Sequence, residues 1–467
     1  MTMLSLRDAA SLIPGARVWG DDAVTFDQVC TDSRTAGPGD LFVALKGERF
    51  DAHDFLADVA KRCASAVMVS ESAACSEAKC RLPALCVADT RAALGALARG
   101  WRQRFTLPLV AVTGSNGKTT VKEMISAIFA AQVGEAARLA TQGNLNNDIG
   151  VPLTLLRLRD VHRVAVVELG MNHPGETQAL AQLAQPTVAL VNNAQREHQE
   201  FMATVEAVAL EHASVIHALS PEGIAVFPAD DPHAGFWRVA ATGNRVMDFA
   251  LRTPDTEGAK VQAEVIGAQS GNCLHIDTPQ GQVDVALQAP GAHNARNALA
   301  ATAAALAAGV SLDAVRRGLE AFAPVKGRLQ VKRATHDALL AGATVIDDTY
   351  NANPDSTRAA IDVLAAQPSP RVLVMGDMGE VGDDGPAFHR EAGVYAKERG
   401  IDALYTLGDA TRDTAAAFGA NAHHAAQAEE LVAALLAAHY GPAATILVKG
   451  SRFMRMERVV DALSRGH

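Results

Sequence analysis

Residues 109–120, LVAVTGSNGKTT, contain the residue types and the spacing that bind phosphate groups. An apolar run ends at Thr113, a glycine-rich loop follows it, and a helical pattern begins at Lys118. In such an arrangement, backbone N–H groups point at phosphate oxygens and the helix dipole adds partial positive charge. We call residues 113–120 the phosphate loop. The segment predicts a site for ATP or a closely similar nucleotide.

The residues of the phosphate loop have separate roles in this prediction. Its glycines permit close approach of the backbone, Lys118 can reach the terminal phosphates, and the Thr119 hydroxyl can bind Mg²⁺. The G-x-x-G-K-T spacing is shorter than the usual motif, so an ordinary strand–turn–helix connection is the alternative. The predicted nucleotide-binding residues of the loop are Gly114, Ser115, Asn116, Gly117, Lys118, Thr119 and Thr120.

Two further candidates follow apolar runs that are typical of buried strands. Glu168 lies at the end of the run at 164–169, and His198 follows the run at 187–193. Ligands of open parallel sheets bind at the carboxyl ends of the strands. We therefore predict that Glu168 binds Mg²⁺ and that His198 reaches the same cleft. The alternatives are an acid that faces solvent and a structural histidine.

Amide and acidic side chains are concentrated in three more segments, at 141–152, 291–297 and 347–356. They can bind sugar or phosphate oxygens, although turns and helix caps use the same residue types. Lys449 begins a further strand-end segment, KGSR, in the C-terminal part of the chain.

The elements that must position these residues alternate between β-rich runs and helical patterns, which is typical of the α/β class. We predict three domains. Residues 1–105 form a small α/β N-terminal domain, and residues 106–325 form a central P-loop domain with a parallel sheet. Residues 326–467 form a C-terminal, Rossmann-like doubly wound domain. Alternating runs within 257–288 predict an antiparallel appendage to the central domain.

The overall charge excludes some classes of partner. With 42 basic and 52 acidic residues among 467, the chain has a formal net charge of −10, which disfavours nucleic acid and anionic membranes. Arg7 and Asp8 interrupt the region where a signal peptide needs an apolar core. The longest apolar run, at 298–309, is shorter than the roughly 20 residues of a membrane span. We expect a cytoplasmic monomer without membrane insertion.

Together these segments resemble the Mur ligase family over essentially the whole chain. The phosphate-loop spacing is the form that this family uses. DDTYNANPDS with GDMGE resembles the member that adds D-alanyl-D-alanine, because the relative that adds the third peptide residue carries D-N-P-R at this point. The segments that carry the resemblance are TDSR (31–34), DLFVALKGERFDAHDF (40–55), TGSNGKTT (113–120), GNLNNDIGVP (143–152), Glu168, GAHNARNALAA (291–301), KGR (326–328), DDTYNANPDS (347–356), GDMGEVG (376–382) and LVKGSR (447–452).

The resemblance implies an ATP-dependent amide ligation in peptidoglycan precursor synthesis, with ATP and Mg²⁺ as cofactors. The C-terminal carboxylate of UDP-MurNAc-tripeptide attacks the γ-phosphate and gives an acyl phosphate. The amino group of D-alanyl-D-alanine then attacks that acyl phosphate. Convergence of three domains on one cleft also predicts closure on binding, which keeps water from the acyl phosphate.

The family pattern also implies roles for particular residues. Lys118 acts on the phosphates, with Mg²⁺ held by Thr119, Glu168 and His198. Asn294 and Asn297 lie near adenine. Arg328 and Asp347 bring the C-terminal domain onto the nucleotide. The residues implied in substrate binding are Ser33, Arg34, Lys46 and Asp51 for uridine, Asn144 and Asn147 for the muramoyl end, and Tyr350, Asn351, Asn353 and Lys449 in the C-terminal domain.

One departure from the family concerns a second Mg²⁺. Relatives carry a lysine 14 residues after the histidine that matches His198, and this lysine is carbamylated so that its carboxylate holds the ion. Here that position is His212, preceded by Glu211. We predict that Glu211, or alternatively His212, replaces the ligand without carbamylation. The loop REHQEF also departs from the A-H-L-E form of relatives.

Two other functions remain open at this point. The first is a different family member, such as a folylpolyglutamate synthetase, which lacks the N-terminal uridine-binding domain that TDSR and residues 40–55 indicate. The second is a nucleotide-binding protein without turnover. The intact Lys118, Thr119 and Glu168 favour turnover over this second alternative.

Overall fold

The computed structural model describes residues 2–70, 82–256, 258–267, 272–335 and 340–464. Its main sheets are built mostly from parallel strands with helices packed against them, so the predicted α/β class is confirmed. Within these residues, no helix combines the length and the apolar character that crossing a membrane requires.

The N-terminal part contains a five-stranded sheet and a two-stranded antiparallel ribbon. One edge strand of the sheet is antiparallel to its neighbour, and the remaining pairs are parallel. In spatial order the strands of the sheet are Arg17–Trp19, Ala84–Val87, Ala66–Ser70, Asp40–Val43 and Gln28–Cys30, and those of the ribbon are Leu4–Ser5 and Thr25–Phe26. Among the described residues of this part, the helices are Leu6–Leu12, Leu56–Lys61 and Thr90–Arg102, with a 3₁₀ turn at Ala52–Phe55.

The central part contains a six-stranded sheet in which all pairs are parallel. Because parallel sheets are covered on both faces, its strands are apolar along nearly their whole length. In spatial order they are Arg245–Val246, Ile224–Val226, Val188–Val191, Leu109–Thr113, Val164–Glu168 and Arg138–Ala140. The helices are Lys118–Val133, Gly150–Leu155, Glu176–Ala184, Gln199–Met202, Val205–His217 and Ala234–Ala240, with a 3₁₀ turn at Glu135–Ala137.

The predicted appendage is a four-stranded sheet, and its two later strand pairs are antiparallel as expected. Its first pair is parallel, which the alternating pattern did not indicate. The strands are Phe249–Leu251, Val261–Gly267, Asn272–Thr278 and Gly281–Leu287, with a 3₁₀ turn at Pro254–Thr256. Two helices follow, Ala292–Ala307 and Leu312–Ala321, and both pack on the helix Lys118–Val133.

The C-terminal part is a six-stranded, doubly wound sheet with one antiparallel edge strand, which confirms the predicted architecture. In spatial order its strands are Gln330–Arg333, Thr344–Asp348, Thr445–Lys449, Arg371–Gly376, Ala403–Leu407 and Ala422–Ala425. The helices are Pro354–Ala365, Gly385–Glu398, Thr411–Phe418, Ala428–Ala437 and Glu457–Ser464, with 3₁₀ turns at Gly382–Asp384 and Arg452–Met454.

The N-terminal and central parts share an apolar core. The helix Thr90–Arg102 packs on the central helices Gly150–Leu155 and Glu176–Ala184, and Leu94 and Leu97 are fully buried there. The domain limits near residues 105 and 325 remain predictions.

The strand order of the central sheet determines where the candidate residues meet. Leu109–Thr113, which leads into the phosphate loop, lies between Val188–Val191 and Val164–Glu168. Glu168 pairs with Val112, and Val191 pairs with Thr113, so the three strands end side by side. The phosphate loop, Glu168 and the segment after Val191 therefore emerge at the same edge of the sheet.

The helix Leu312–Ala321 approaches the phosphate-loop helix so closely that it needs a glycine at the contact. A Cβ on Gly318 would lie 2.3 Å from the Cα of Ile128. We expect Gly318→Ala to lower the free energy of unfolding by about 1–3 kcal/mol through overpacking, measured as a fall in the thermal unfolding midpoint. Gly235→Ala is the matched control, because Gly235 is also helical and has open space around it. An unchanged midpoint for Gly318→Ala would contradict the close contact.

Candidate active site

A cleft of about 1080 Å³ lies at the carboxyl edge of the central sheet and is closed on its other side by the C-terminal part. The sequence-predicted residues that line it are Ser115, Asn116, Gly117, Lys118, Thr120, Asn144, Asn147, Glu168, His198, Asn294, Asn297, Arg328, Tyr350, Asn351, Asn353 and Lys449. Residues from five separate sequence segments of the central part thus meet residues from three segments of the C-terminal part.

The phosphate loop has the backbone conformation that its glycines permit. Gly114 and Gly117 have φ angles of +133° and +80°. A Cβ on Gly117 would also lie 2.5 Å from Asn297 Oδ1, so the loop packs directly on the helix Ala292–Ala307. Both conformation and packing therefore require glycine at position 117.

Lys118 lies folded over the phosphate loop. Its Nζ donates to the carbonyl oxygens of Gly114, at 2.5 Å, and Ser115, at 3.2 Å. A third bond, of 3.2 Å, goes to Glu197 Oε2. The ammonium group thus lies in the mouth of the loop where phosphate groups would bind.

Glu197 is a site residue that the sequence analysis did not select. It is 5% exposed, lines the cleft, and receives a 3.0 Å contact from His212 Nε2 on Oε1. Burial by itself would raise the pKa of Glu197, but the charge of Lys118 and the bond from His212 lower it to about 2. Glu197 is therefore a buried, ionised carboxylate. Its place in the loop after the strand Val188–Val191, beside His198, was the sequence signal that could have identified it.

The structure separates the two residues considered as replacements for the family's lysine. His212 is fully buried, and its Nδ1 lies 2.9 Å from Thr113 Oγ1. Glu211 instead accepts bonds of 2.9 and 2.8 Å from the N–H groups of Gly175 and Thr177. These groups begin the helix Glu176–Ala184, so Glu211 caps that helix and does not line the cleft. The structure does not support Glu211 as the replacement ligand, because its carboxylate is already engaged there.

Glu168 and Thr119 form the part of the cleft that suits a divalent cation. Thr119 Oγ1 donates to Glu168 Oε1 at 3.1 Å, and Asn146 Nδ2 donates to the same oxygen at 2.8 Å. The other oxygen, Oε2, is buried without a hydrogen-bond partner. Mg²⁺ prefers carboxylate and hydroxyl oxygens combined with phosphate oxygens and water, so this unpartnered oxygen fits it. Within the described ranges, no cluster of three His, Cys, Asp or Glu residues has the geometry of a complete metal site.

His198 lies between two carboxylates and does not contact Glu168. Its Nδ1 is 2.7 Å from Glu380 Oε2, in the C-terminal part, and its Nε2 is 3.8 Å from Glu197 Oε2. The contact with His198 lowers the pKa of Glu380 below its usual range. In this arrangement His198 links the central and C-terminal parts.

A chain of amide side chains connects the helix Ala292–Ala307 to the phosphate loop. Asn297 donates to Asn294 Oδ1 at 3.2 Å and accepts from Asn192 at 3.0 Å. Asn192 also donates to the carbonyl oxygen of Asn116 at 2.8 Å. These bonds fix the amides at the wall of the cleft, where the resemblance places the adenine.

Several contacts join the phosphate loop to the C-terminal part. Arg328 Nη2 donates to Thr119 Oγ1 at 3.3 Å and stacks 4.1 Å from the centre of the Tyr350 ring. Asn353, which caps the helix Pro354–Ala365, donates to Asn116 Oδ1 at 2.9 Å. The C-terminal part therefore touches the phosphate loop directly.

Arg196, in the loop next to Glu197, forms two ion pairs between the two parts. It lies 2.6 Å from Asp355 Oδ1 and 2.8 Å from Glu391 Oε2. The paired carboxylates come from two different helices, Pro354–Ala365 and Gly385–Glu398.

The prediction for Asp347 is not supported by the structure. Asp347 is fully buried and accepts from Lys332 at 2.7 Å and from Thr349 at 2.7 Å, away from the cleft. Successive side chains of a strand face opposite sides, so the next residue, Asp348, lines the cleft instead. Asp348 Oδ2 accepts from Lys449 Nζ at 2.6 Å.

The four residues predicted to bind uridine lie outside the cleft. Ser33 and Arg34 follow the strand Gln28–Cys30, while Lys46 and Asp51 follow its parallel neighbour Asp40–Val43. Because the two strands end at the same edge, the two loops lie on one side of the N-terminal sheet.

Known proteins with matching sequence cover all three parts of the chain. Residues 25–102 match the Mur ligase family catalytic domain, residues 112–305 the Mur ligase middle domain, and residues 327–452 the Mur ligase glutamate ligase domain. The chain is 40% identical to UDP-N-acetylmuramoyl-tripeptide–D-alanyl-D-alanine ligase from Escherichia coli (strain K12), over 99% of each chain.

The chain is also similar to solved structures over nearly its whole length. The fold is similar to that of MurF from Acinetobacter baumannii, with a TM-score of 0.89, 35% identity and 99% of each chain covered. It is also similar to MurF ligase from Thermotoga maritima in complex with ADP, with a TM-score of 0.80 and 25% identity. That match covers 93% of this chain and 96% of the other.

Loss of the Arg196 link should separate the C-terminal part from the central part. Arg196→Ala leaves Asp355 and Glu391 without this cation, and hydrogen bonds to charged groups contribute about 1.5–3 kcal/mol each. We expect a larger radius of gyration for the unliganded variant in small-angle X-ray scattering. Arg390→Ala, which removes a more exposed pair within the C-terminal part, is the control. Equal radii for Arg196→Ala and the parent protein would contradict the role of this link.

The capping role of Glu211 predicts a stability effect without a metal effect. Glu211→Gln loses charge-assisted bonds to the helix N-terminus, so the free energy of unfolding should fall by about 1 kcal/mol. The Mg²⁺ dependence of ATP turnover should not change. Glu222→Gln, at an exposed position, serves as the control for the loss of one negative charge. A shifted Mg²⁺ dependence in Glu211→Gln alone would restore Glu211 as a metal ligand.

Proposed function

We propose, because the chain belongs to the Mur ligase family, that it joins D-alanyl-D-alanine to UDP-N-acetylmuramoyl-tripeptide in an ATP-dependent amide ligation. The product would be the UDP-MurNAc-pentapeptide precursor of peptidoglycan. Near-complete coverage of the E. coli ligase of that name supports the choice of substrates. The observation that carries the proposal is the convergence of Lys118, Glu168 and Arg328 on one cleft.

The first chemical step is phosphoryl transfer to the tripeptide. A carboxylate oxygen of the tripeptide bonds to the γ-phosphorus as the bond to the β–γ bridging oxygen breaks, which gives an acyl phosphate and ADP. Such a transfer depends on positioning and on stabilisation of negative charge. Lys118 and the N–H groups of the phosphate loop supply positive charge, and Arg328 extends over the loop from the C-terminal part.

The proposed magnesium ligands are Thr119 and Glu168. His198 remains a candidate for a third ligand. The unpartnered oxygen of Glu168 supports this assignment. When bound, Mg²⁺ would neutralise charge on the phosphate oxygens. His198 would keep the C-terminal part in place through Glu380.

The second step forms the amide. The amine nitrogen of D-alanyl-D-alanine bonds to the acyl carbon and loses a proton, and phosphate leaves with its oxygen. We assign the tripeptide end to the face of the cleft with Asn144 and Asn147. The dipeptide is assigned to the C-terminal face, whose residues are Tyr350, Asn351, Asn353 and Lys449. A cleft closed between the two parts supports exclusion of water from the acyl phosphate.

The N-terminal part would bind the uridine end through Ser33, Arg34, Lys46 and Asp51. The match of residues 25–102 to a Mur ligase domain favours this over a folylpolyglutamate synthetase. Because ATP and a UDP-linked precursor are cytoplasmic metabolites, we place the reaction in the cytoplasm. A monomer remains the expected state.

Phosphate release tests the proposal directly. With ATP, Mg²⁺, UDP-MurNAc-tripeptide and D-alanyl-D-alanine, we expect release that stops when any one of them is omitted, and a pentapeptide product by mass spectrometry. Lys118→Met should lower turnover on the order of 10²–10³-fold, because charge stabilisation at the phosphates is lost. Lys397→Met, at an exposed helix position, should behave as the parent. Release that is indifferent to the dipeptide would overturn the assigned acceptor, and no release would favour a binding protein.

A further inference from the structure

Glu197 is a buried, charged carboxylate, and its nearest cation in this structure is Lys118. The proposed reaction needs Lys118 at the phosphate groups instead. Its carboxylate is 5% exposed, with Lys118 Nζ at 3.2 Å from Oε2 and His212 Nε2 at 3.0 Å from Oε1. Lys118 must turn to the phosphates when a nucleotide binds in the loop. That movement would remove the cation nearest to Glu197.

A buried carboxylate cannot lose its cation without a replacement, because an uncompensated charge in a protein interior is very costly. The incoming phosphates carry further negative charge, so they increase this cost. A nucleotide enters such sites with divalent cations, which are the natural replacement for the ammonium group.

We propose that Glu197 binds a divalent cation that enters with the nucleotide and takes the place of Lys118. The inference depends on the proposed function only in that a nucleotide binds at the phosphate loop. His212, held by Thr113, would act as the positioning residue that fixes the carboxylate.

The topology gives this cation a place distinct from that near Glu168. Glu168 ends the strand on one side of Leu109–Thr113, and Glu197 lies in the loop after the strand on the other side. The two carboxylates therefore flank the phosphate loop from opposite sides. Each of the two cation sites can therefore receive one carboxylate from the chain, and phosphate oxygens and water complete the coordination that small divalent ions require.

The number of bound Mn²⁺ ions per chain can be measured without turnover. We would titrate Mn²⁺ by electron paramagnetic resonance with a β,γ-methylene analogue of ATP. The parent protein should bind two Mn²⁺ per chain and Glu197→Gln one, while Glu197→Asp should keep two with at least tenfold weaker affinity for the second. Glu200→Gln, at an exposed position of the short helix that follows this loop, should bind two. Two ions in Glu197→Gln, or one in the parent, would overturn the proposal.

A second variant tests the exchange from the opposite direction. Lys118→Met removes the resident cation, so Glu197 should bind Mn²⁺ even without nucleotide, whereas the parent should not. Absence of this new site in a variant that unfolds at the parent's midpoint would overturn the exchange. A parent protein with two Mn²⁺ ions but no ligation of the dipeptide would refute the proposed function and leave this inference intact.

Discussion

The position of the strand Leu109–Thr113 in the middle of an all-parallel sheet is the constraint on which the rest of the site depends. Parallel neighbours end at the same edge, so the phosphate loop, Glu168 and Glu197 come together without any long excursion of the chain. The loop can then lie flat on Asn297 because Gly117 has no side chain. The alanine-rich helix behind it contributes small side chains, which lets the phosphate-loop helix pack closely against its neighbours.

Charge pairing links the central sheet to the C-terminal part. Arg196, Glu197 and His198 are consecutive, yet Arg196 and His198 point to carboxylates of the C-terminal part while Glu197 faces Lys118. One loop after a buried strand thus contacts both Lys118 of the phosphate loop and the C-terminal part. Because these charges are partly or fully buried, their pairing matters more than that of surface ion pairs.

The sequence predicted local features well and side-chain direction poorly. The phosphate loop and the buried strands were identifiable because a short motif and continuous apolar runs determine them. Short, partly exposed strands such as Gln28–Cys30 and Gln330–Arg333 lack that pattern, since their pairing depends on neighbours distant in sequence. The resemblance implied Asp347, yet Asp348 lines the cleft, because the face of a strand that meets the cleft depends on the packing of the whole sheet. Glu197 was missed because only the fold brings it to Lys118 and His212.

The same reasoning explains why Glu211 and His212 have different roles. Neighbouring residues on the helix Val205–His217 project about 100° apart, so they cannot both face the same point of the sheet. His212 points to the end of the strand Leu109–Thr113, while Glu211 points to the start of the helix Glu176–Ala184. A histidine at this point brings hydrogen-bonding groups but no carboxylate, so a negative ligand must come from another element. In the proposed second cation site, Glu197 would supply that carboxylate from the loop opposite, as a side chain of the chain itself that needs no modification.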